Sequence, residues 1–302
     1  MSDFLNINLS NIKEINAHND SIYSLSIFPS GNFISTSRDK SIKIWDQNYN
    51  NIQTIINAHD DYINYVEIKD EKSFITCSDD KSIKIWKKIE DKFELKQTIK
   101  NCHKDSIFKL IYYSNNKIIS CSNDKTIKIW EEKENTIYQN MITLTHNNFI
   151  NSILLIEDKN ILISSGRYET KFWNINNFEC IIEIEEIKCY IGNTISRLDK
   201  DKVIFGGGII HIMKVISLSS KKLIKEIDNI FCCYCIITLE KKGIFLTGGK
   251  SENIRIYRID NYECINNLNN VHNGCIYGIC KYFDNMVISF SQDKKIKIWE
   301  FK

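Results

Sequence analysis

Histidine, serine and aspartate recur together at fixed spacing in this 302-residue chain. In the first instance, His18 is followed by Ser37 and then by Asp39. A serine hydroxyl, an imidazole and a carboxylate are the nucleophile, general base and orienting group of many hydrolases. Taken alone, these three residues would indicate a hydrolytic active site.

The same set occurs four times, each time closed by a tryptophan six residues after the aspartate. An enzyme needs one such site in a concave pocket, whereas four copies at one place in a repeat indicate a packing device. We therefore predict no catalytic residues and interpret the sets as structural. Their members are His18, Ser37, Asp39 and Trp45; His59, Ser78, Asp80 and Trp86; His103, Ser122, Asp124 and Trp130; and His272, Ser291, Asp293 and Trp299.

The tryptophan position also measures the repeat, which advances in steps of 41 to 44 residues. The residues at this position are Trp45, Trp86, Trp130, Trp173, Val215, Tyr257 and Trp299. Seven repeats of this length are typical of propeller blades, and they leave no room for a second domain. The predicted single domain is 1–302, with blades at about 18–56, 59–99, 103–144, 146–184, 188–227, 230–268, and 272–302 plus 10–16.

Each repeat contains short apolar or alternating runs separated by Asn, Asp, Ser, Gly and Lys, which predicts four strands per repeat. The last repeat ends after its third strand, and residues 10–16 resemble the strand that follows Trp45. We expect residues 10–16 to complete the last blade, because a propeller must not leave its first and last blades with open edges. The predicted fold is an all-β, seven-bladed β-propeller of four-stranded antiparallel blades.

Composition narrows the function classes. The chain has 40 basic residues against 38 acidic ones, and only five of the basic residues are arginine, so direct nucleic-acid binding is not expected. No run approaches the roughly 18 apolar residues of a spanning helix, so no membrane insertion is expected. The start of the chain does not read as a secretory signal, and the cysteines are eleven, an odd number, scattered singly or in strand-like runs. We expect a cytoplasmic or nuclear protein with reduced thiols.

With these residues in place, the sequence resembles the WD-repeat family over essentially its full length. The resemblance implies that the histidine, the serine two residues before the aspartate, the aspartate and the tryptophan form a hydrogen-bonded tetrad in each blade. The chemistry is consistent with this, because the carboxylate can accept from the imidazole and the hydroxyl can meet both the second ring nitrogen and the indole N–H.

Three repeats depart from the pattern. The fourth keeps His146, Ser165 and Trp173 but has Arg167 in place of the aspartate, so its turn must be held in another way. The fifth and sixth lose the set, and we expect their blades to be the least regular. The residues at the set positions there are Lys188, Gly207, Ile209 and Val215, then Ile230, Gly249, Ser251 and Tyr257.

Two further motifs are set aside. Cys232, Cys233 and Cys235 have no histidine nearby in the sequence, and alternation along a strand sends neighbouring residues to opposite faces. Gly206–Gly208 precedes a strand and not a helix, which disfavours a phosphate loop. We predict no metal and no cofactor.

The resemblance also implies that partners dock on the top face around the central channel. The residues three and five after the histidine and one before the aspartate would form this rim, and in blade six they would include Cys233 and Cys235. Five of them are aromatic, and aromatic residues are favoured interface anchors. The predicted partner-binding residues, called the rim positions below, are Tyr23, Arg38, Tyr62, Asn64, Asp79, Phe108, Asn123, Phe149, Asn151, Lys250, Tyr277 and Gln292.

We therefore predict a non-catalytic protein-interaction scaffold or adaptor that binds protein or peptide partners as a subunit of a larger complex. Arg38, Arg167 and Lys250 leave phosphopeptide recognition open without favouring it. One alternative is a substrate adaptor linked to ubiquitin and degradation. A hydrolase or a small-molecule binder in the central channel is a less favoured alternative.

Overall fold

A computed structural model describes residues 7–114, 116–133, 137–166, 169–184, 195–206, 211–228 and 232–302. Among the residues singled out above, Arg167, Lys188, Gly207, Gly208, Ile209 and Ile230 lie outside these ranges. The described strands form seven four-stranded sheets, and no helix of the described residues is long and apolar enough to cross a membrane.

The chain divides into two compact units, which are treated separately below. The first unit is Tyr23–Asn193, and the second combines Met1–Ile22 with Thr194–Lys302. That the chain is a single domain stays a prediction.

The first unit contains blades one to four, each built from consecutive strands in antiparallel pairs. Blade one is β2 (Ile22–Ile27), β3 (Phe33–Ser37), β4 (Ile42–Trp45) and β5 (Asn51–Ile55); blade two is β6 (Ile63–Asp70), β7 (Ser73–Ser78), β8 (Ile83–Ile89) and β9 (Lys92–Ile99). Blade three is β10 (Ile107–Tyr113), β11 (Lys117–Ser122), β12 (Thr126–Lys133) and β13 (Ile137–Thr145); blade four is β14 (Ile150–Ile156), β15 (Ile161–Gly166), β16 (Thr170–Asn174) and β17 (Cys180–Ile184).

The second unit contains blades five to seven. Blade five is β18 (Ile195–Arg197), β19 (Lys202–Phe205), β20 (Ile212–Ser217) and β21 (Leu223–Asp228); blade six is β22 (Cys233–Leu239), β23 (Ile244–Gly249), β24 (Ile254–Arg258) and β25 (Cys264–Leu268). Blade seven is β26 (Ile276–Lys281), β27 (Met286–Ser291), β28 (Lys295–Phe301) and β1 (Leu9–Asn16). Strands β22 and β23 of blade six have seven and six residues, which are ordinary lengths, so the irregularity expected of blade six is not seen in these two strands.

Alternation along the strands explains how the sheets pack. In blade two the second strand, Ser73–Ser78, is buried at every residue, whereas the fourth, Lys92–Ile99, is mostly exposed. Ile34 and Ile42 of blade one pack in one apolar cluster with Phe74 of blade two. Ile75 and Cys77 on the other face of the same strand of blade two pack with Ile107 and Leu110 of blade three. The second strand of blade two therefore supplies one face to blade one and the other to blade three, which is why its run is apolar on both faces.

The two ends of the chain meet in blade seven. Strand β1 pairs antiparallel with β28, from Leu9 opposite Phe301 to Asn16 opposite Lys295. Glu14 on β1 forms ion pairs with Lys295 and Lys297 on β28. The predicted fold class is confirmed, including the N-terminal strand that completes the last blade.

Candidate functional site

A buried network of hydrogen-bonded side chains runs through blade two. The Nδ1 atom of His59 is 2.8 Å from Asp80 Oδ2, and its Nε2 atom is 2.8 Å from Thr76 Oγ1. The indole N–H of Trp86 donates to the same Thr76 hydroxyl at 2.9 Å. His59 and Thr76 are fully buried. The imidazole, the hydroxyl and the indole N–H of this network therefore each have a hydrogen-bond partner away from water.

Blades three and seven contain the same arrangement. His103 lies 2.9 Å from Asp124 and 2.8 Å from Ser120, which accepts from Trp130 at 2.9 Å. The corresponding contacts of blade seven join His272 to Asp293 at 2.9 Å, His272 to Ser289 at 2.7 Å and Trp299 to Ser289 at 2.8 Å. In blade one, Trp45 donates to Ser35 at 2.9 Å.

The prediction that the hydroxyl lies two residues before the aspartate was wrong; it lies four residues before. Phe74 is the register partner of Trp86, so the next position on the same face, Thr76, reaches the indole, whereas Ser78 lies one same-face step farther away. The predicted hydroxyls Ser37, Ser78, Ser122 and Ser291 are therefore replaced by Ser35, Thr76, Ser120 and Ser289. In blade four, which has no aspartate at this position, Ser164 and not the predicted Ser165 accepts from the tryptophan.

The serines predicted for this role close the turns instead. The hydroxyl of Ser78 accepts from the Asp80 N–H at 3.0 Å and donates to the Asp61 carbonyl at 3.2 Å. The same pair of bonds occurs at Ser122 and Ser291. These hydroxyls hold the turn between the second and third strands, where short polar side chains commonly bond the nearby backbone.

The electrostatics favour a neutral imidazole beside an ionised carboxylate. Burial lowers the pKa of His59 and of His103, and the hydrogen bonds to their aspartates only partly oppose this. Burial would raise the pKa of Asp80, but hydrogen bonds from His59 and Ser82 outweigh it and hold that pKa well below its usual range. The same balance lowers the pKa of Asp293 to about 2. The hydroxyl then donates to Nε2, and Nδ1–H donates to the carboxylate.

Blade four reaches the same result with a glutamate. His146 Nδ1 lies 3.0 Å from Glu169 Oε1, and its Nε2 lies 2.7 Å from Ser164 Oγ. Glu169 stands four residues before Trp173, which is where Ser82 stands relative to Trp86. The longer side chain of the glutamate compensates for this different position in the turn.

Several donors converge on the Glu169 carboxylate. The backbone N–H groups of Asn147 and Asn148 both donate to it, and Lys171 Nζ lies 3.5 Å away. Burial lowers the pKa of His146 to about 4. The expectation that this turn is held in another way is thus met by a residue that no fixed-spacing motif would find.

Blade four also lacks the turn-closing serine. Gly166 is the register partner of Ile150, as Ser78 is of Ile63, so Gly166 and not Ser165 is the counterpart of Ser78. A Cβ atom at Gly166 would lie 2.1 Å from the Phe149 carbonyl oxygen. The backbone approaches so closely here that only glycine fits.

Five of the six described pairings between the first and second strands of a blade begin with the same irregularity, a β-bulge. One residue is skipped between the first two register pairs, and these residues, called the bulge positions below, are Asn64, Phe108, Asn151, Tyr234 and Tyr277. All five side chains are half-buried. Bulges re-aim side chains and are common beside functional sites.

The bulge corrects the expected rim of blade six. Cys233 and Cys235 are 1% and 5% exposed, so neither belongs to the surface. Tyr234 between them is half-buried, and its ring stacks on that of Tyr277 at 6.0 Å between centroids. Sequence reasoning missed Tyr234, although a tyrosine between two small apolar residues was the available signal.

The rim positions of the first unit contact one another in two places. The Arg38 guanidinium lies 4.5 Å from the Tyr62 ring centroid and donates to its hydroxyl at 2.9 Å. The Asn64 amide donates to Asp79 at 2.7 Å and to the Ile107 carbonyl at 2.9 Å. Arg38 is exposed, whereas Tyr62, Asn64 and Asp79 are half-buried.

The remaining rim positions have mixed exposure. Tyr23, Phe108, Asn123, Phe149 and Asn151 are half-buried, and the Asn123 amide donates to Asp105 at 2.8 Å. In the second unit, Tyr277 is half-buried, while Lys250 and Gln292 are exposed.

Among the described residues, no group of three or more His, Cys, Asp or Glu side chains is arranged to hold a metal ion.

Comparison with known families gives one match. A model described as "WD domain, G-beta repeat" matches residues 9–46, 50–87 and 93–131. Each segment begins in or just before the fourth strand of one blade and ends within the third strand of the next or just after it. The predicted resemblance is confirmed by these three repeats and by the seven blades. No curated protein matches the chain.

Proposed function

Since the chain carries WD repeats and has the fold of a seven-bladed propeller, we propose that it is a non-catalytic scaffold that binds protein or peptide partners. Within the first unit the binding surface comprises its rim positions, and within the second unit it comprises its rim positions together with Tyr234. WD-repeat propellers commonly serve as interaction scaffolds, and the proposal extends this role to particular residues of this chain.

The observation that carries the proposal is a contrast within each blade. The histidine network keeps the same chemistry in blades two, three, four and seven, even where a glutamate replaces the aspartate. The bulge positions beside it vary between amide and aromatic side chains. A position that is built alike and filled differently is suited to selecting a partner.

Burial supports a non-catalytic role. Ser120, His103 and Asp124 have the contacts of a hydrolase triad, but the Ser120 hydroxyl is fully buried and already accepts from the Trp130 indole. A nucleophile must be reachable by its substrate, and this one is covered by its own blade.

The surface chemistry suits a polypeptide. Tyr234 and Tyr277 form a stacked aromatic pair, and Arg38 covers Tyr62 while remaining exposed. Tyrosine and arginine are, with tryptophan, the residues enriched at interface hot spots.

The ten cysteines whose side chains are described are all free, which supports our further proposal of a cytoplasmic or nuclear location.

Quantitative affinity capture from cells tests the proposal. The full chain is compared with a Tyr234→Ala and Tyr277→Ala double variant, and we expect specific partners to fall at least fivefold in the variant. Ile52→Ala with Ile181→Ala on the exposed outer strands is the matched control and should retain them. Equal capture by both variants contradicts the assigned surface.

A further inference from the structure

Tyr234 and Tyr277 form one aromatic surface in the second unit. They are the bulge positions of blades six and seven, and their ring centroids lie 6.0 Å apart with an interplanar angle of 14°. Parallel rings in direct contact have planes about 3.5 Å apart, so this centroid distance means that the two rings are offset. Both side chains are half-buried. The pair therefore presents a stepped apolar face on which a small ring can pack.

The polar groups beside the pair can donate hydrogen bonds. The Oε1 atom of the exposed Gln292 side chain accepts from the Cys275 N–H at 3.4 Å, which assigns the other end of this amide to the NH2 group. Neither this NH2 group nor the Tyr234 hydroxyl has a hydrogen-bond partner among the residues that the structure describes.

The neighbouring backbone carbonyls already accept hydrogen bonds. The carbonyl of Cys275 accepts from the Gln292 N–H at 2.9 Å, and that of Cys232 accepts from the Lys250 N–H at 3.1 Å. A ligand at this surface therefore meets available donors more readily than available acceptors.

The charges beside the pair favour neither an acidic nor a basic ligand. Burial raises the pKa of the Cys275 thiol, while the positive charge of Lys250 lowers it and the negative charge of Glu252 raises it. Both charges thus lie close enough to act on Cys275, which is two residues before Tyr277, and they have opposite signs. Selection here must come from ring packing and from hydrogen bonds to neutral groups.

A proline-rich segment has the matching chemistry. Proline residues have a carbonyl acceptor and no N–H donor, and their side chain is a compact apolar ring. In the polyproline II conformation the backbone makes no internal hydrogen bonds, so its carbonyls are free to accept from a partner. Such segments dock on surfaces lined by aromatic side chains, at a small entropy cost because their conformation is already formed.

We propose that the Tyr234–Tyr277 pair binds a proline-rich segment of the partner in the polyproline II conformation. A proline ring packs on the two tyrosine rings, and carbonyls of the segment accept from the Tyr234 hydroxyl and the Gln292 amide. This inference rests on the proposed function, because it names the class of partner for the part of that surface in the second unit.

A fluorescein-labelled peptide of ten prolines is the probe, titrated with the full chain and followed by fluorescence anisotropy. Peptides of the same length that are glycine–serine, aspartate-rich or lysine-rich are the comparisons. We expect saturable binding of the proline peptide that is at least tenfold tighter than binding of the other three. Since no ion pair is involved, its affinity should change less than twofold with salt concentration.

Four variants assign the contacts. Tyr234→Ala should weaken binding at least tenfold, whereas Tyr234→Phe keeps the ring, loses only the donor and should weaken it about fivefold. Gln292→Glu keeps the oxygen that accepts from Cys275, replaces the NH2 group by a second acceptor and should weaken binding at least threefold. Phe283→Ala is the matched control, because this exposed aromatic residue follows the opposite end of β26 from Tyr277, and it should bind normally.

Thermal unfolding of each variant establishes that it is folded, and Tyr234→Phe tests the contact even if the alanine variant is not. The proposal is overturned if the proline peptide does not bind saturably, if the acidic or the basic peptide binds more tightly, or if the Tyr234 variants bind as well as the unaltered chain.

Affinity capture with the Tyr234→Ala and Tyr277→Ala double variant separates this inference from the proposed function. Loss of the captured partners without binding of the proline peptide would retain the surface and reject its ligand class. Equal capture together with no binding of the proline peptide would reject both.

Discussion

Blades two and four supply a carboxylate to a buried histidine in different ways. In blade two, Asp80 supplies the carboxylate to His59, with Ser78 and Ser82 closing the turn. In blade four, Glu169 reaches His146 from the position of Ser82, and Gly166 replaces the turn-closing serine. The position of the carboxylate is thus preserved, and the identity of the residue that delivers it is not.

The largest expected effect is removal of either carboxylate. Asp80→Ala and Glu169→Ala each leave a buried imidazole N–H without an acceptor and also remove a charged acceptor from nearby backbone N–H groups, so each should lower the free energy of unfolding by about 3 kcal/mol. Urea denaturation followed by tryptophan fluorescence measures this. A loss below about 1 kcal/mol in only one of the two blades would show that the networks are not equivalent.

Acid should weaken the histidine networks before it reaches the carboxylates. The folded pKa of His146 is about 4, below the unfolded value near 6.5, so between these values the unfolded chain binds a proton that the folded chain excludes. The free energy of unfolding should therefore fall by roughly 2–3 kcal/mol from this residue between pH 7 and 4. Below that range the aspartates add a further loss, because the pKa of Asp293 is lowered to about 2.

Urea titrations at several pH values measure this slope. His146→Gln cannot titrate, so its stability should depend less on pH between 6.5 and 4 than that of the unaltered chain. An unchanged slope would mean that His146 does not remain neutral.

Removing the Thr76 hydroxyl, which contacts the tryptophan, should have a smaller effect on stability. Thr76→Val keeps the shape and removes the acceptor of the Trp86 N–H, which should lower stability by about 2 kcal/mol. Ser78→Ala removes only the turn contacts and should cost about 1 kcal/mol. The emission of Trp86 should shift in the first variant and not in the second. If Ser78→Ala lowered stability more than Thr76→Val, the serine two residues before the aspartate would be the hydroxyl of the network.

The smallest expected effect on stability comes from replacing Glu169 with aspartate, the residue that supplies the carboxylate in blade two. Glu169→Asp shortens the side chain by one methylene and should cost about 1 kcal/mol, because the bond to His146 lengthens while the backbone donors remain nearby. Denaturation beside Glu169→Ala checks it. A loss equal to that of the alanine variant would mean that reach alone decides the contact.

Most of the fold could be predicted from repetition. Seven steps of 41 to 44 residues, alternating runs and a strand-like segment before His18 were sufficient for the blades and their completion by β1. Only part of each histidine network could be predicted from the sequence. Histidine, aspartate and tryptophan have fixed spacing, but two serines two residues apart lie on the same strand face, and spacing alone cannot choose between them.

The partner surface was less readable still. A β-bulge inserts one residue without any change in composition, so the expected rim of blade six fell on Cys233 and Cys235, one residue to either side of Tyr234. In blade four the carboxylate comes from Glu169, where a fixed offset from the histidine does not point.

By itself, the amino-acid sequence determined the repeat, the strands and the residue types that seal each blade, because local periodicity and polar satisfaction recur at short range. Only the tertiary structure decided which hydroxyl meets the indole, which acid meets His146 and which side chain each bulge presents. These depend on register and on the reach of individual side chains between strands, and both are set by pairing across the sheet.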